Sequence, residues 1–150
     1  MGSGTPDQTL VSVPHLLARN VAQFGERPAY REKEFGIWQS WTWTEAAAEI
    51  DALALGFLTL GAAVGDHVAI VGRNRPHMYW AMIAAQQVGC IPVPLYQDGV
   101  ADEIQYVLTH AEAKIVVVED QEQVDKVLSI MDKCPSIKYI VYKETRGMRH

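Results

Sequence analysis

From residue 66 to residue 142 the chain alternates short apolar runs, rich in β-branched residues, with longer segments whose apolar residues recur every three or four positions. The first pattern suits strands buried on both faces and the second suits helices. Strands and helices taken in turn build right-handed crossovers, and so a mainly parallel sheet flanked by helices. The strand runs are residues 68–71, bounded by Gly65 and Gly72, then 91–96, 114–119, with four β-branched residues from Ile115 to Val118, and 137–142. Pro92 and Pro94 remove two backbone donors from the second run, which predicts an edge or irregular strand.

The helical segments carry their own punctuation. Pro76 opens one that is apolar nearly all round and closes at Gly89, which predicts burial. Val100, Ile104, Val107, Leu108 and Ala111 mark a second, and Val124, Val127, Leu128 and Met131 a third, stopped by Pro135. Before the alternation stand a helix over residues 13–25, with Gly25 placed to end it, and two strands, 28–32 and 37–43. A turn of Lys33, Glu34, Phe35 and Gly36 joins these strands, and Trp38, Trp41 and Trp43 favour a pleated, half-buried surface. Thr42 with Glu45 three residues later fits a capping box, followed by a stripe of Ala46, Ile50, Leu53, Ala54, Phe57 and Leu58 that ends before Gly61. The fold class is therefore α/β: a mainly parallel sheet between helices, preceded by a helix and a β-hairpin. Residues 1–12 are expected to be flexible and 13–150 to form one partial domain.

Composition narrows the function. Thirteen Lys and Arg against eighteen Asp and Glu leave a net charge of −5, without the clustered cations that nucleic-acid binding needs. The basic tail of Lys143, Arg146, Arg149 and His150 reads as a solvated end. Cys90 and Cys134 stand alone, too few and too far apart for a disulfide framework or a metal box. The first residues carry neither a basic n-region nor a long apolar h-region, and no run approaches the roughly 20 apolar residues of a membrane span. A cytoplasmic location is expected, with peripheral membrane contact left open.

Ligands of doubly wound sheets sit beyond the carboxyl ends of the strands. At the first such end, Arg73 and Arg75 offer charge for an anion, although the loop lacks both the three-glycine spacing and the Walker lysine. The plainer reading is solvated arginines with Asn74 as a helix cap. Asp98 and Gly99 at the second end read first as a turn. Glu119, Asp120 and Glu122 at the third would invite a metal if another carboxylate converged; more simply, Asp120 caps the next helix. His15, His67, His77, His110 and His150 show no ligand spacing, and no serine sits in a nucleophile elbow.

The run from Leu60 to Leu108 resembles the N-terminal subdomain of AMP-forming acid–CoA ligases, particularly long-chain fatty-acyl-CoA synthetases. The resemblance rests on Gly65, Asp66, Val68, Ala69 and Ile70 leading to Asn74, Pro76 and Trp80, then Gly89, Val93, Pro94 and Tyr96, then Glu103, Tyr106 and Leu108. The aromatic strand with Thr42 and Glu45 fits the same pattern, whereas Gln97 and Asp98 stand where the family often has a Pro-Thr pair. The resemblance implies a fatty-acid substrate, with ATP, Mg and CoA as cofactors of a longer parent. The family's phosphate loop, ribose-binding Asp and catalytic Lys lie downstream of this region. No catalytic, cofactor-binding or metal residue is therefore carried over, and the chain is expected to be the inactive front portion of a ligase. An incomplete sheet would expose an apolar face or edge, and hence self-associate. The competing readings are a freestanding binding or dimerisation module related to such ligases, and an unrelated receiver-like α/β domain.

Overall fold

The computed structural model describes residues 12–144, so the expected flexible start and all of the basic tail except Lys143 lie outside the described residues. The chain divides into two compact units, residues 1–48 and 49–150.

The first unit begins with helix α1 (Val13–Phe24), whose buried side chain is Leu17. Gly25 ends this helix for a reason other than a left-handed turn. Its φ is −38°, and a Cβ there would stand 2.9 Å from Thr44 Oγ1 and 3.0 Å from the Val21 carbonyl. Close approach of the backbone, where Thr44 N–H donates to the Gly25 carbonyl, is what requires glycine. Strands β1 (Pro28–Glu34) and β2 (Ile37–Thr42) then form an antiparallel hairpin. The connection is shorter than the four-residue turn expected from sequence. Phe35 and Gly36, at φ 47° and 81°, make a two-residue turn of the mirror-image kind that matches strand twist. Trp38 is exposed on this hairpin, and Trp43 belongs to the next helix.

Helix α2 (Trp43–Thr59) starts on the expected capping box. Thr42 N–H donates to Glu45 Oε2 at 2.8 Å, and Glu45 N–H donates to Thr42 Oγ1 at 3.2 Å. Two orphan donors are satisfied reciprocally. Thr42→Ala should therefore cost about 1 kcal/mol in a urea titration, while Thr42→Ser should cost a small fraction of that. Ala46, Ile50, Ala54 and Phe57 form the buried stripe, but Leu58 stands 52% exposed.

In the second unit, β3 (His67–Gly72), β4 (Ile91–Tyr96), β5 (Ile115–Val118) and β6 (Tyr139–Tyr142) form a wholly parallel sheet in the order β4-β3-β5-β6. Helix α3 (Pro76–Gln87) carries the chain from β3 to β4 on one side. Helix α4 (Ala101–His110) then carries it back across β3 to β5 on the other. Right-handed crossovers in opposite directions put these helices on opposite faces. Helix α5 (Gln121–Leu128) and the 3-10 turn Met131–Lys133 complete the second face. The third helical segment is thus shorter than predicted: it ends at Leu128, itself 51% exposed.

Side-chain alternation along the strands divides the core in two. Ala69, Val71, Val116 and Val118 pack with Ile104, Leu108, Val127 and Ile130 beneath α4 and α5. The alternate residues Val68, Ile70 and Ile115 turn to the opposite face, where Trp80, Ala81, Ala84 and Ala85 of α3 are buried. Small residues let α3 lie close to the sheet, and Trp80 fills the space they leave. Gly89 follows α3 at φ 77°, with a would-be Cβ 2.9 Å from Val64, so both conformation and space exclude a side chain.

Candidate functional site

The chain leaves β3 for β4 on one side and returns to β5 on the other, so the sheet's topological switch point lies between β3 and β5. The crevice beyond their carboxyl ends is where such a fold ordinarily takes its ligand. Here it is closed by the protein's own charges. Arg73, directly after β3, donates its backbone N–H to Glu119 Oε2 at 3.0 Å and its Nη2 to Oε1 at 2.8 Å, with Nε adding a further donor. Arg75 Nη1 approaches the same Oε1 at 3.2 Å, and Arg73 Nη2 stands 3.7 Å from Asp120 Oδ2.

Glu119 is the centre of this clamp, its side chain 10% exposed against 46% for Arg73. Burial works to raise its pKa. The side-chain and backbone hydrogen bonds of Arg73, with the charges of Arg73 and Arg75, outweigh that and hold the carboxyl below its ordinary range. The arginines are therefore committed to Glu119 rather than left as an open anion site, and the reading of them as merely solvated is corrected, although Arg73 remains partly exposed. The cavity under the clamp, lined by Ile70, Val117, Val118 and Lys143 among others, measures about 40 Å³. That is space on the scale of water, not of a nucleotide.

Asn74 does not cap α3. The N-cap position is Arg75, without a side-chain cap, and Asn74 Oδ1 instead accepts the Tyr79 hydroxyl at 2.6 Å. Asp120 does cap α5, accepting from Gln123 N–H at 3.3 Å, and Glu122 lies exposed in its first turn. Among the described residues no three His, Cys, Asp or Glu side chains gather in a way that would hold a metal. Mg·ATP does not fit this set, since the switch-point carboxylates are held by arginines and a helix N-terminus.

A wider groove of about 530 Å³ runs beside the clamp, between α3 and the end of β4. Met78, Met82, Leu95 and Tyr96 give it an apolar floor, and Asn74 and Asp98 stand on its rim. Its far wall is the predicted turn at Gln97 and Asp98, closed by Gly99 N–H donating to the Tyr96 carbonyl at 3.2 Å. Sequence reasoning missed what fixes this turn: Lys126 of α5 donates its Nζ to the carbonyls of Gln97, at 2.7 Å, and Gly99, at 3.2 Å.

It also missed a pair at the opposite end of the strands. Lys114 donates to Asp66 Oδ2 at 2.7 Å and to the Gly61 carbonyl at 3.0 Å, while Ala63 N–H donates to the same Asp66 oxygen at 2.8 Å. The Lys114 hydrogen bond, followed by that of Ala63, lowers the Asp66 pKa. This pair ties the entry of β3 to the entry of β5.

The remaining candidates are structural. His77 packs on Trp80 with ring centroids 4.6 Å apart, His110 stacks on Tyr106 at 5.9 Å, and His15 Nδ1 lies 2.8 Å from Ser12 Oγ. Cys90 and Cys134 are buried free thiols, and burial raises the Cys90 pKa. No helix among the described residues is long and apolar enough to cross a membrane.

Residues 17–149 match the family model described as AMP-binding enzyme. A long-chain-fatty-acid–CoA ligase of Xenopus laevis is 30% identical over 135 residues, which are 89% of this chain and 18% of the relative. A ligase of the same description from Mycobacterium tuberculosis is 32% identical over 108 residues, 71% of this chain and again 18% of the relative. The chain thus spans about a fifth of the length of these curated relatives. Among solved structures, the anthranilate CoA ligase AuaEII superposes with a TM-score of 0.82 at 19% identity, over 89% of this chain and 25% of that one. A long-chain-fatty-acid-CoA ligase from Archaeoglobus fulgidus gives 0.78 at 20% identity, over 89% of this chain and 27% of that one, which speaks to the fold.

Proposed function

The chain belongs to the AMP-binding enzyme family, and from that premise we propose that it works as part of an ATP-dependent fatty-acid–CoA ligase, supplying architecture rather than reacting groups. The overall reaction would join a fatty carboxylate to CoA through an acyl-adenylate, releasing pyrophosphate and then AMP. The match across residues 17–149 to this family, together with relatives that are long-chain-fatty-acid–CoA ligases, carries the reading. ATP, Mg and CoA belong to that whole reaction, the substrate is a fatty acid, and the setting is the cytoplasm or a membrane surface.

The assignment of the chemistry to other residues has its own support. Stabilising charge that develops on a phosphoryl group takes cations and backbone donors left available to the ligand. At the switch point Arg73 and Arg75 instead hold Glu119, which locks the ends of β3 and β5 together. The region reads as a rigid floor for a site completed elsewhere.

Fatty-acid-dependent ATP–pyrophosphate exchange tests both halves. The 150-residue chain by itself should give no exchange above the protein-free blank. A chimera carrying this chain in place of the matching segment of the mycobacterial relative should retain exchange. Exchange by the chain alone would contradict the architectural role. A chimera that is folded by circular dichroism but inert would contradict the ligase assignment.

A further inference from the structure

The β1–β2 hairpin sorts its side chains by chemistry. Residues directly opposite across an antiparallel pair share a face, as do residues two apart along a strand. The pairs Arg31 with Ser40 and Lys33 with Trp38 therefore make one face, and Glu32 with Gln39 and Glu34 with Ile37 make the other. All four side chains of the first face are exposed, whereas Glu32 is buried and Glu34 half-buried. Arg31 and Lys33 thus stand outward on the face of Trp38, and the two carboxylates between and beside them turn to the covered side. The end of the hairpin is apolar: Phe35 is 78% exposed, Ile37 65% and Trp38 66%. Phe35 also holds φ 47°, at a turn position that ordinarily takes Asn or Gly. A large aromatic ring there serves neither the turn nor a core.

We propose that this hairpin docks on an anionic lipid surface, with Phe35, Ile37 and Trp38 entering the interfacial layer and Lys33 and Arg31 set against the headgroups. An indole prefers that layer, where its apolar body and its N–H are both served. Lys33 stands opposite Trp38 and so at the same height, where the potential of an anionic surface draws cations. Arg31 lies two residues further from the tip and contributes less, because the attraction falls off within a Debye length. Three apolar side chains at a two-residue turn are too few for a stable protein interface, which takes roughly 800 Å² from each partner. They suffice for a weak, reversible hold on a bilayer in which apolar burial and charge act together. The membrane contact that the sequence left open thereby acquires a definite element.

Co-sedimentation with large unilamellar vesicles tests the proposal on the 150-residue chain. Vesicle binding needs neither nucleotide nor acyl transfer, so it can fail while the ligase assignment stands. The chain should bind phosphatidylcholine vesicles containing phosphatidylserine about tenfold more tightly than phosphatidylcholine alone. Phe35→Asn places a favoured residue type at that φ, so its urea midpoint should equal or exceed that of the wild type. Its vesicle affinity should nevertheless fall about tenfold through lost apolar burial. Arg31→Gln with Lys33→Gln should abolish the preference for phosphatidylserine. Trp38→Phe should keep the binding but lose most of the tryptophan quenching by brominated lipid. Leu55→Ser, at a position 65% exposed on α2, is the control and should bind as the wild type does. No sedimentation with either vesicle overturns the proposal, as does binding indifferent to Phe35→Asn or weakened as much by Leu55→Ser. Equal affinity for the two lipids overturns the headgroup assignment. A lipid-free oligomer that Phe35→Asn dissolves would make the tip a contact between chains and overturn the membrane reading.

Discussion

Replacing Trp80 with alanine should destabilise the chain by about 3–5 kcal/mol, the range for deleting a fully buried aromatic side chain. Trp80 is 1% exposed and heads the fully buried side chains by volume. Its neighbours on α3, Ala81, Ala84 and Ala85, are too small to close over the space it would vacate. The nearby His77 ring, tilted 48° to the indole, would lose its packing partner as well. Single domains have only about 5–15 kcal/mol in total, so the variant should unfold at a markedly lower urea concentration. Leu58→Ala, at a position 52% exposed, is the matched control and should change stability by no more than about 0.5 kcal/mol. Equal losses in the two variants would mean that α3 does not pack on the sheet through Trp80.

Glu119→Gln should cost about 1.5–3 kcal/mol at neutral pH, the worth of hydrogen bonds to a charged group in a partly buried setting. The change removes the one carboxylate that two arginines share, and leaves Arg73 and Arg75 close together without it. Arg73 is 46% exposed, so solvent screens part of the loss and the lower half of the range is expected. The effect has a definite pH dependence. In the unfolded chain Glu119 titrates near 4.5, and in the folded chain below that. Its contribution is therefore complete above pH 4.5 and disappears as pH falls through the folded value. Asp66 acts in the same direction from 3.8 downward. Urea midpoints of wild type and Glu119→Gln should accordingly differ at pH 7 and converge as pH falls through the folded value, which lies below 4.5. A gap that persisted in acid would show the clamp to be steric rather than electrostatic.

What could be read from the chain in advance was local. The capping box of Thr42 and Glu45 is written within three residues and forms as expected. Pro92 and Pro94 point to an edge or irregular strand, and among the described residues β4 lies at an edge of the sheet. The β-branched run at residues 115–118 announced a buried strand beside β3. The misreadings at the strand ends share one cause, dependence on partners distant in sequence. Arg73 and Glu119 are 46 residues apart, and nothing near either says that β5 will lie beside β3. Until that order is known, the arginines look solvated. Lys126 and the turn it holds are likewise joined only by the fold. Gly25 is legible in sequence as a helix end, but not that its lack of a side chain admits Thr44, which belongs to the next helix. Periodicity also overstated burial at Leu58 and Leu128, because a helical stripe is wider than the surface that covers it.

The clamp bears directly on the ligase reading. On that reading, a doubly wound sheet whose switch point is held by an internal ion pair leaves the nucleotide chemistry to other residues. Equilibrium dialysis of the 150-residue chain against Mg·ATP is the most direct test. No saturable binding is predicted up to millimolar nucleotide. Saturable binding that Arg73→Ala abolishes, in a variant still folded by circular dichroism, would contradict the account and make the switch point a nucleotide site after all.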